Sequence, residues 1–97
     1  MIVCVQDRTT VLLDPDDFRH FSVRLVGSGA AEALQAGGTG RLIGNSEALV
    51  SVHAVRRLAD READPAWTEG FSAMLRYAQQ HGWLSEDGSE IKAHLEP

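Results

Sequence analysis

Hydrophobic and polar positions divide this chain into short runs of two kinds. Ile2–Gln6 and Thr9–Leu13 are apolar and β-branched, and they read as two short strands or one bent strand around Asp7-Arg8. Tight two-residue turns favour Asn-Gly or Asp-Gly, so Asp-Arg leaves the pairing open. Asp14-Pro15-Asp16-Asp17 is a helix start: an acidic cap, proline at the first helical position, and carboxylates at the positive end of the dipole. The pattern then changes. Phe21, Val23 and Leu25 alternate with Ser22, Arg24 and Val26, which predicts one helical turn followed by a strand over 20–26.

Glycines at 27 and 29 interrupt that strand. Ala30–Ala36 has strong helix propensity, with Ser28 as a candidate N-cap and Gly37-Gly38 as the stop. Arg41-Leu42-Ile43 and the run from Ala48 flank Gly44-Asn45-Ser46, a hairpin signal. The second run fits a strand face and a helix face equally, and is read as a strand to His53 and then a helix over 54–61. Asp64-Pro65 repeats the cap-plus-proline signature. Beyond it Trp67, Phe71, Met74, Leu75 and Ala78 fall on one helical face, predicting a helix over 65–81. Trp83-Leu84, the Asp87-Gly88 turn and the alternating run from Glu90 to Leu95 read as a closing hairpin.

This order predicts an α+β fold in a single domain, 1–97. A small antiparallel or mixed sheet would be covered by one long and two short helices. From residue 20 onward the string traces strand-helix-strand-strand-helix-strand and is similar in order to a ferredoxin-like fold, which implies no particular activity.

Composition narrows the picture. The chain has 97 residues, a mass of 10.6 kDa and a formal net charge of −5. Only six aromatics (Phe18, Phe21, Phe71, Trp67, Trp83 and Tyr77) support the core, and thin cores are often supplemented by self-association, which suggests a homodimer. One cysteine, Cys4, forms no internal disulfide and reads as a buried, inert thiol. The N-terminus lacks a basic region, and no apolar stretch approaches the ~20 residues of a spanning helix. A cytoplasmic protein with no membrane contact is expected. Arginine outnumbers lysine eight to one and alanine is abundant, as in a GC-rich bacterial genome.

The chemistry-bearing motifs are weak. Gly27-Ser28-Gly29 lies between strand and helix, but Glu32 occupies the position where a dinucleotide fingerprint needs glycine or alanine. Gly37-Gly38-Thr39-Gly40 lacks the lysine of a phosphate loop. His20, His53, His81 and His94 form no close ligand pair, so neither metal nor cofactor is implied. Arg56, Arg57 and Arg61 sit beside Asp60, Glu62 and Asp64 and read as a solvated ion-pair face. The 65–81 helix and the hairpin after it have the order of a recognition helix and wing, but Glu86, Asp87 and Glu90 would repel phosphate, so nucleic acid is not the expected partner.

The leading expectation is a non-catalytic protein that acts through self-association or a protein partner, with Trp67 and Trp83 as candidate interface residues if either is not consumed by the core. The alternative is a small enzyme or a binder of small anions, with its pocket between sheet and helix. Arg24, Arg41, His53 and His94, which project from or border predicted strands, are the candidate ligand-binding residues. A winged-helix-like DNA-binding protein is the third reading.

Overall fold

In the computed structural model, which describes residues 1–96, the apolar N-terminal runs form an antiparallel hairpin of β1 (Ile2–Gln6) and β2 (Thr9–Leu13). The turn between them is closed by Asp7 at φ 52° and Arg8 at φ 66°. Left-handed backbone costs an ordinary residue roughly 1–2 kcal/mol. Burial of Val3 and Val5, both fully excluded from solvent, holds the hairpin in this conformation.

β3 (Ser22–Val26) runs parallel to β1, and α1 (Ala30–Ala36) follows. Then come β4 (Gly40–Leu42), β5 (Glu47–Ser51), α2 (Val52–Ala59), α3 (Pro65–Gln80) and β6 (Glu90–Leu95). All six strands join one mixed sheet in the order β2-β1-β3-β6-β5-β4. Helix α2 packs against both β5 and β2, so the sheet curls around its helical layer.

An α+β architecture with one long and two short helices is therefore present, but the sheet is larger than the sequence suggested. Its order also departs from the ferredoxin-like arrangement. The last strand, β6, is parallel to β3 and antiparallel to β5, and it joins the two halves of the sheet. The closing hairpin is reduced to a single bridge, Leu84 to Ile91, beside this interior strand.

Local chemistry explains the shifted boundaries. β3 begins at Ser22 because Asp14–Asp17 and the residues after it form turns: the Asp17 amide donates to the Asp14 carbonyl, and the Arg19 amide to the Asp17 carboxylate. The Ser51 hydroxyl accepts the Ala54 amide, which starts α2 at Val52 and ends β5 before His53. Gly29, at φ 87°, occupies the N-cap position of α1 and leaves Ser28 outside it. Asp64 caps α3 through the amides of Ala66 and Trp67, with Pro65 in the first turn, as its sequence signature predicted.

Strand alternation gives the sheet two unlike faces. Val3, Val5, Val23, Val50 and Ile91 point to the helices, where they meet Leu34, Val55, Trp67 and Phe71. Trp67 is the hub. It stacks on Phe71 at 4.9 Å, tilts against Phe18 at 6.1 Å, and its indole N–H donates to the Pro15 carbonyl at 2.8 Å. Among the described residues the opposite face carries no helix. Ile2, Cys4, Val11 and Leu13 make one half of it apolar, and cross-strand ion pairs make the other half polar.

Two predictions follow from these contacts. A methyl at Gly70 would collide with the Phe18 ring. Although alanine is the better helix former by about 1 kcal/mol, Gly70→Ala is expected to lower stability by on the order of 1–3 kcal/mol in urea unfolding; a stabilised variant would show that Phe18 does not pack there.

The second concerns acid. Hydrogen bonds from the Ser89 hydroxyl, the Ser89 amide and the Ser85 hydroxyl hold Asp87 at about 2, below its ordinary 3.8. A carboxylate depressed in the folded state stabilises the protein above its unfolded pKa and loses that contribution as pH falls through the folded one. The urea midpoint should therefore fall between about pH 4 and pH 2, and fall less in Asp87→Asn. Equal slopes in the two proteins would refute the assignment.

Candidate functional site

The interior position of β6 creates a groove. On the side facing β3, only its second half finds a strand partner, with Ser22 opposite His94 and Val23 opposite Leu95. Its first half is met by the segment after α3: the Lys92 amide donates to the Trp83 carbonyl at 2.7 Å, and the Ser85 amide to the Glu90 carbonyl at 2.9 Å. The chain leading into β3 diverges before Ser22, and a gap opens between these two partners. The result is a groove of about 240 Å³, floored by Met74, Ala78, Ile91 and Ala93 and walled by Phe18 and Phe21.

Its rim is aromatic. Tyr77 is 56% exposed and Trp83 41%, the highest values among the aromatic side chains. Tyr77 and His81 stack at 4.2 Å, and Trp83 lies 4.7 Å from His81 and 5.9 Å from Tyr77. The arrangement follows from the way α3 ends. Gly82 adopts φ 74°, the Trp83 amide turns back to the Ala78 carbonyl at 2.8 Å, and His81 Nδ1 is 2.9 Å from the Tyr77 carbonyl. These three rings are thereby held in one cluster at low conformational cost.

Basic side chains border the groove. Lys92 is engaged by Glu47 at 3.8 Å, and His20 by Asp17 at 3.1 Å. The Arg19 amide and the His20 ring together hold the Asp17 carboxyl below its usual range. Arg19 and His94 line the groove and form no ion pair among the described residues. A second hollow, of about 580 Å³, continues past His94 to Ser22 and Glu96. The Ser22 hydroxyl, at 2.8 Å, and the Arg24 guanidinium, at 3.1 Å, hold Glu96 ionised and its pKa low.

The candidate residues read from the sequence are dispersed. His94 lines the groove. Arg24 lies on the same sheet face and is taken up by Glu96. Arg41 reaches from β4 to Glu90 at 3.4 Å. His53 is exposed in the first turn of α2. Trp67 is 2% exposed, inside the core, whereas Trp83 stands at the rim. Sequence reasoning did not single out Tyr77, Phe18, Phe21 or Arg19 as lining residues. The one legible signal was the i, i+4 spacing of Tyr77 and His81 just ahead of Trp83.

Among the described residues no group of three or more His, Cys, Asp or Glu side chains gathers in a way that could hold a metal ion. Among the described residues no helix is long and apolar enough to cross a membrane. The strand expected to form a wing is β6, which lies between β3 and β5 inside the sheet. No protein-family model matches the chain, and comparison with curated proteins and with solved structures finds no similar protein.

Proposed function

We propose that this protein is a non-catalytic binding module whose working surface is the α3–β6 groove with its rim of Tyr77, His81 and Trp83. The observation that carries this reading is the exposed aromatic cluster beside an apolar hollow. The core is filled by Trp67, Phe71 and Phe18, so Tyr77 and Trp83 are free to serve as contact residues. The ring cluster has little rotamer freedom left to lose on binding. Its occupant is a protein segment that presents one apolar or aromatic side chain to the groove and a neighbouring carboxylate to Arg19 and His94. A cytoplasmic setting belongs to the proposal and rests on Cys4, a free and buried thiol.

One observation favours a second reading. A cavity of about 240 Å³ with Arg19, Lys92 and His94 at its border suits a small aromatic anion.

Selection of a displayed random heptapeptide library on the protein separates these readings. Enrichment of sequences pairing an aromatic or aliphatic residue with Asp or Glu is expected, with binding roughly tenfold weaker to Trp83→Ala or Tyr77→Ala. Because both side chains are exposed, circular dichroism of the variants should match the parent. Absence of a consensus, or equal binding to the variants, would overturn the module reading. Titration with sodium benzoate, followed by amide shifts of Trp83, Ala93 and His94, tests the second reading; a spectrum unchanged at millimolar benzoate refutes it.

A further inference from the structure

β2 (Thr9–Leu13) is a sheet edge packed by α2 on one face and left unpaired along its outer side. Edges are ordinarily blunted by lysine, proline, a bulge or a covering element. β2 reads Thr-Thr-Val-Leu-Leu, with no charge and no proline. Among the described residues its backbone forms no hydrogen bond to any element other than β1. The Gln6–Thr9 pair flanks the two-residue turn and exchanges both of its bonds. The alternation then directs the backbone groups of Val11 and Leu13 to β1 and those of Thr10 and Leu12 outward.

Each end of this strand carries a charge in a costly conformation. Arg8 has φ 66° and Asp14 has φ 49°. Both are exposed, and neither forms an ion pair among the described residues. Glycine or asparagine would fit either position with less strain.

We propose that a second copy of this chain adds to β2 in antiparallel register, with the two-fold axis at Val11. Thr10 of each copy then exchanges both backbone hydrogen bonds with Leu12 of the other, which uses the outward groups just identified. Val11 meets its counterpart in the closer, non-hydrogen-bonded pairing on the helix-free face, covering a side chain that is 43% exposed in the monomer. The same register sets Arg8 opposite Asp14 of the other copy, and symmetry does so twice. Sliding the pairing by two residues one way puts Arg8 against Leu12 and loses both ion pairs, and sliding it the other way puts Arg8 against Asp16, a carboxylate already held by Arg61 at 3.1 Å, so the charges favour the register at Val11. The contact is one pair of short strands and falls below the ~1,200 Å² of a standard interface, so the dimer dissociates on dilution. It lies on β2 and is independent of what occupies the α3–β6 groove.

Sedimentation velocity from low micromolar to several hundred micromolar protein tests the proposal. The parent should pass from monomer to dimer across that range. Arg8→Glu and Asp14→Lys should each weaken association by roughly tenfold or more by opposing like charges, and the double variant Arg8→Glu/Asp14→Lys should restore it. Val11→Lys, at an exposed position, should abolish it while circular dichroism stays unchanged. Should a charge variant fail to fold, Val11→Lys decides alone. A parent that stays monomeric throughout, a dimer that survives Val11→Lys, or a folded double variant that stays dissociated would overturn the assignment.

Discussion

The structure depends on the insertion of its last strand into the middle of its sheet. β1, β2 and β3 form one three-stranded unit and β4 with β5 another, and within the sheet the described residues link them only through β6. Two residues of β3 pair with it in parallel, and all of β5 pairs with it in antiparallel. Ile91 and Ala93 supply the core at the seam, each 2% exposed. A sheet of this connectivity cannot close until the C-terminal segment arrives, so the halves need another tie. Helix α2, packed on β5 and also on β2, provides one, and the Trp67 hub with its bond to Pro15 provides a second. These contacts join the chain's early turns to its late helices across the same core.

That constraint also generates the groove. Parallel pairing of β3 with β6 covers only the end of β6, and the first half of β6 must satisfy its backbone elsewhere. Trp83–Ser85 does this, but it approaches from the end of α3, leaving a wedge between itself and the chain entering β3. The wedge is lined by whatever side chains the two partners present. These are Phe18 and Phe21 from one side and Tyr77 and Trp83 from the other. A groove at this point is a consequence of topology, and its aromatic character is a matter of sequence.

How much of this was legible depended on the range of the interactions concerned. Asp64-Pro65 and the apolar spacing after it act within one helix, so α3 could be read almost to the residue. Ser51 acts locally too, but its capping role is visible only once β5 ends, which is why residues 48–53 stayed ambiguous. Asp7-Arg8 was an unfavourable turn by propensity, and the hairpin forms because β1 is buried from both sides by partners that sequence patterning does not reveal. Arg24 and Arg41 looked available for a ligand because their carboxylate partners, Glu96 and Glu90, lie 72 and 49 positions away in sequence. Surface pairs of this kind contribute only about 0.2–1 kcal/mol each, but they settle where the charge is spent.

The distribution of charge separates the two exposed regions of the molecule. On the polar half of the helix-free face, Arg24–Glu96 and Lys92–Glu47 bridge neighbouring chain segments, Arg41–Glu90 spans β5, and few cations are left unmatched. A surface neutralised in this way has little electrostatic pull on a partner. The apolar half is different, because Val11 and Leu13 stand at a free edge and the nearest charges, Arg8 and Asp14, sit one at each end. Antiparallel pairing reverses the order of a strand, so opposite charges at its two ends become neighbours across a two-fold axis. Like charges at both ends would make the same edge self-repelling. The arrangement therefore does two things at once. In the proposed dimer it favours a second copy over an arbitrary strand, and it biases the register that an uncharged run of Thr, Val and Leu would leave free to slip.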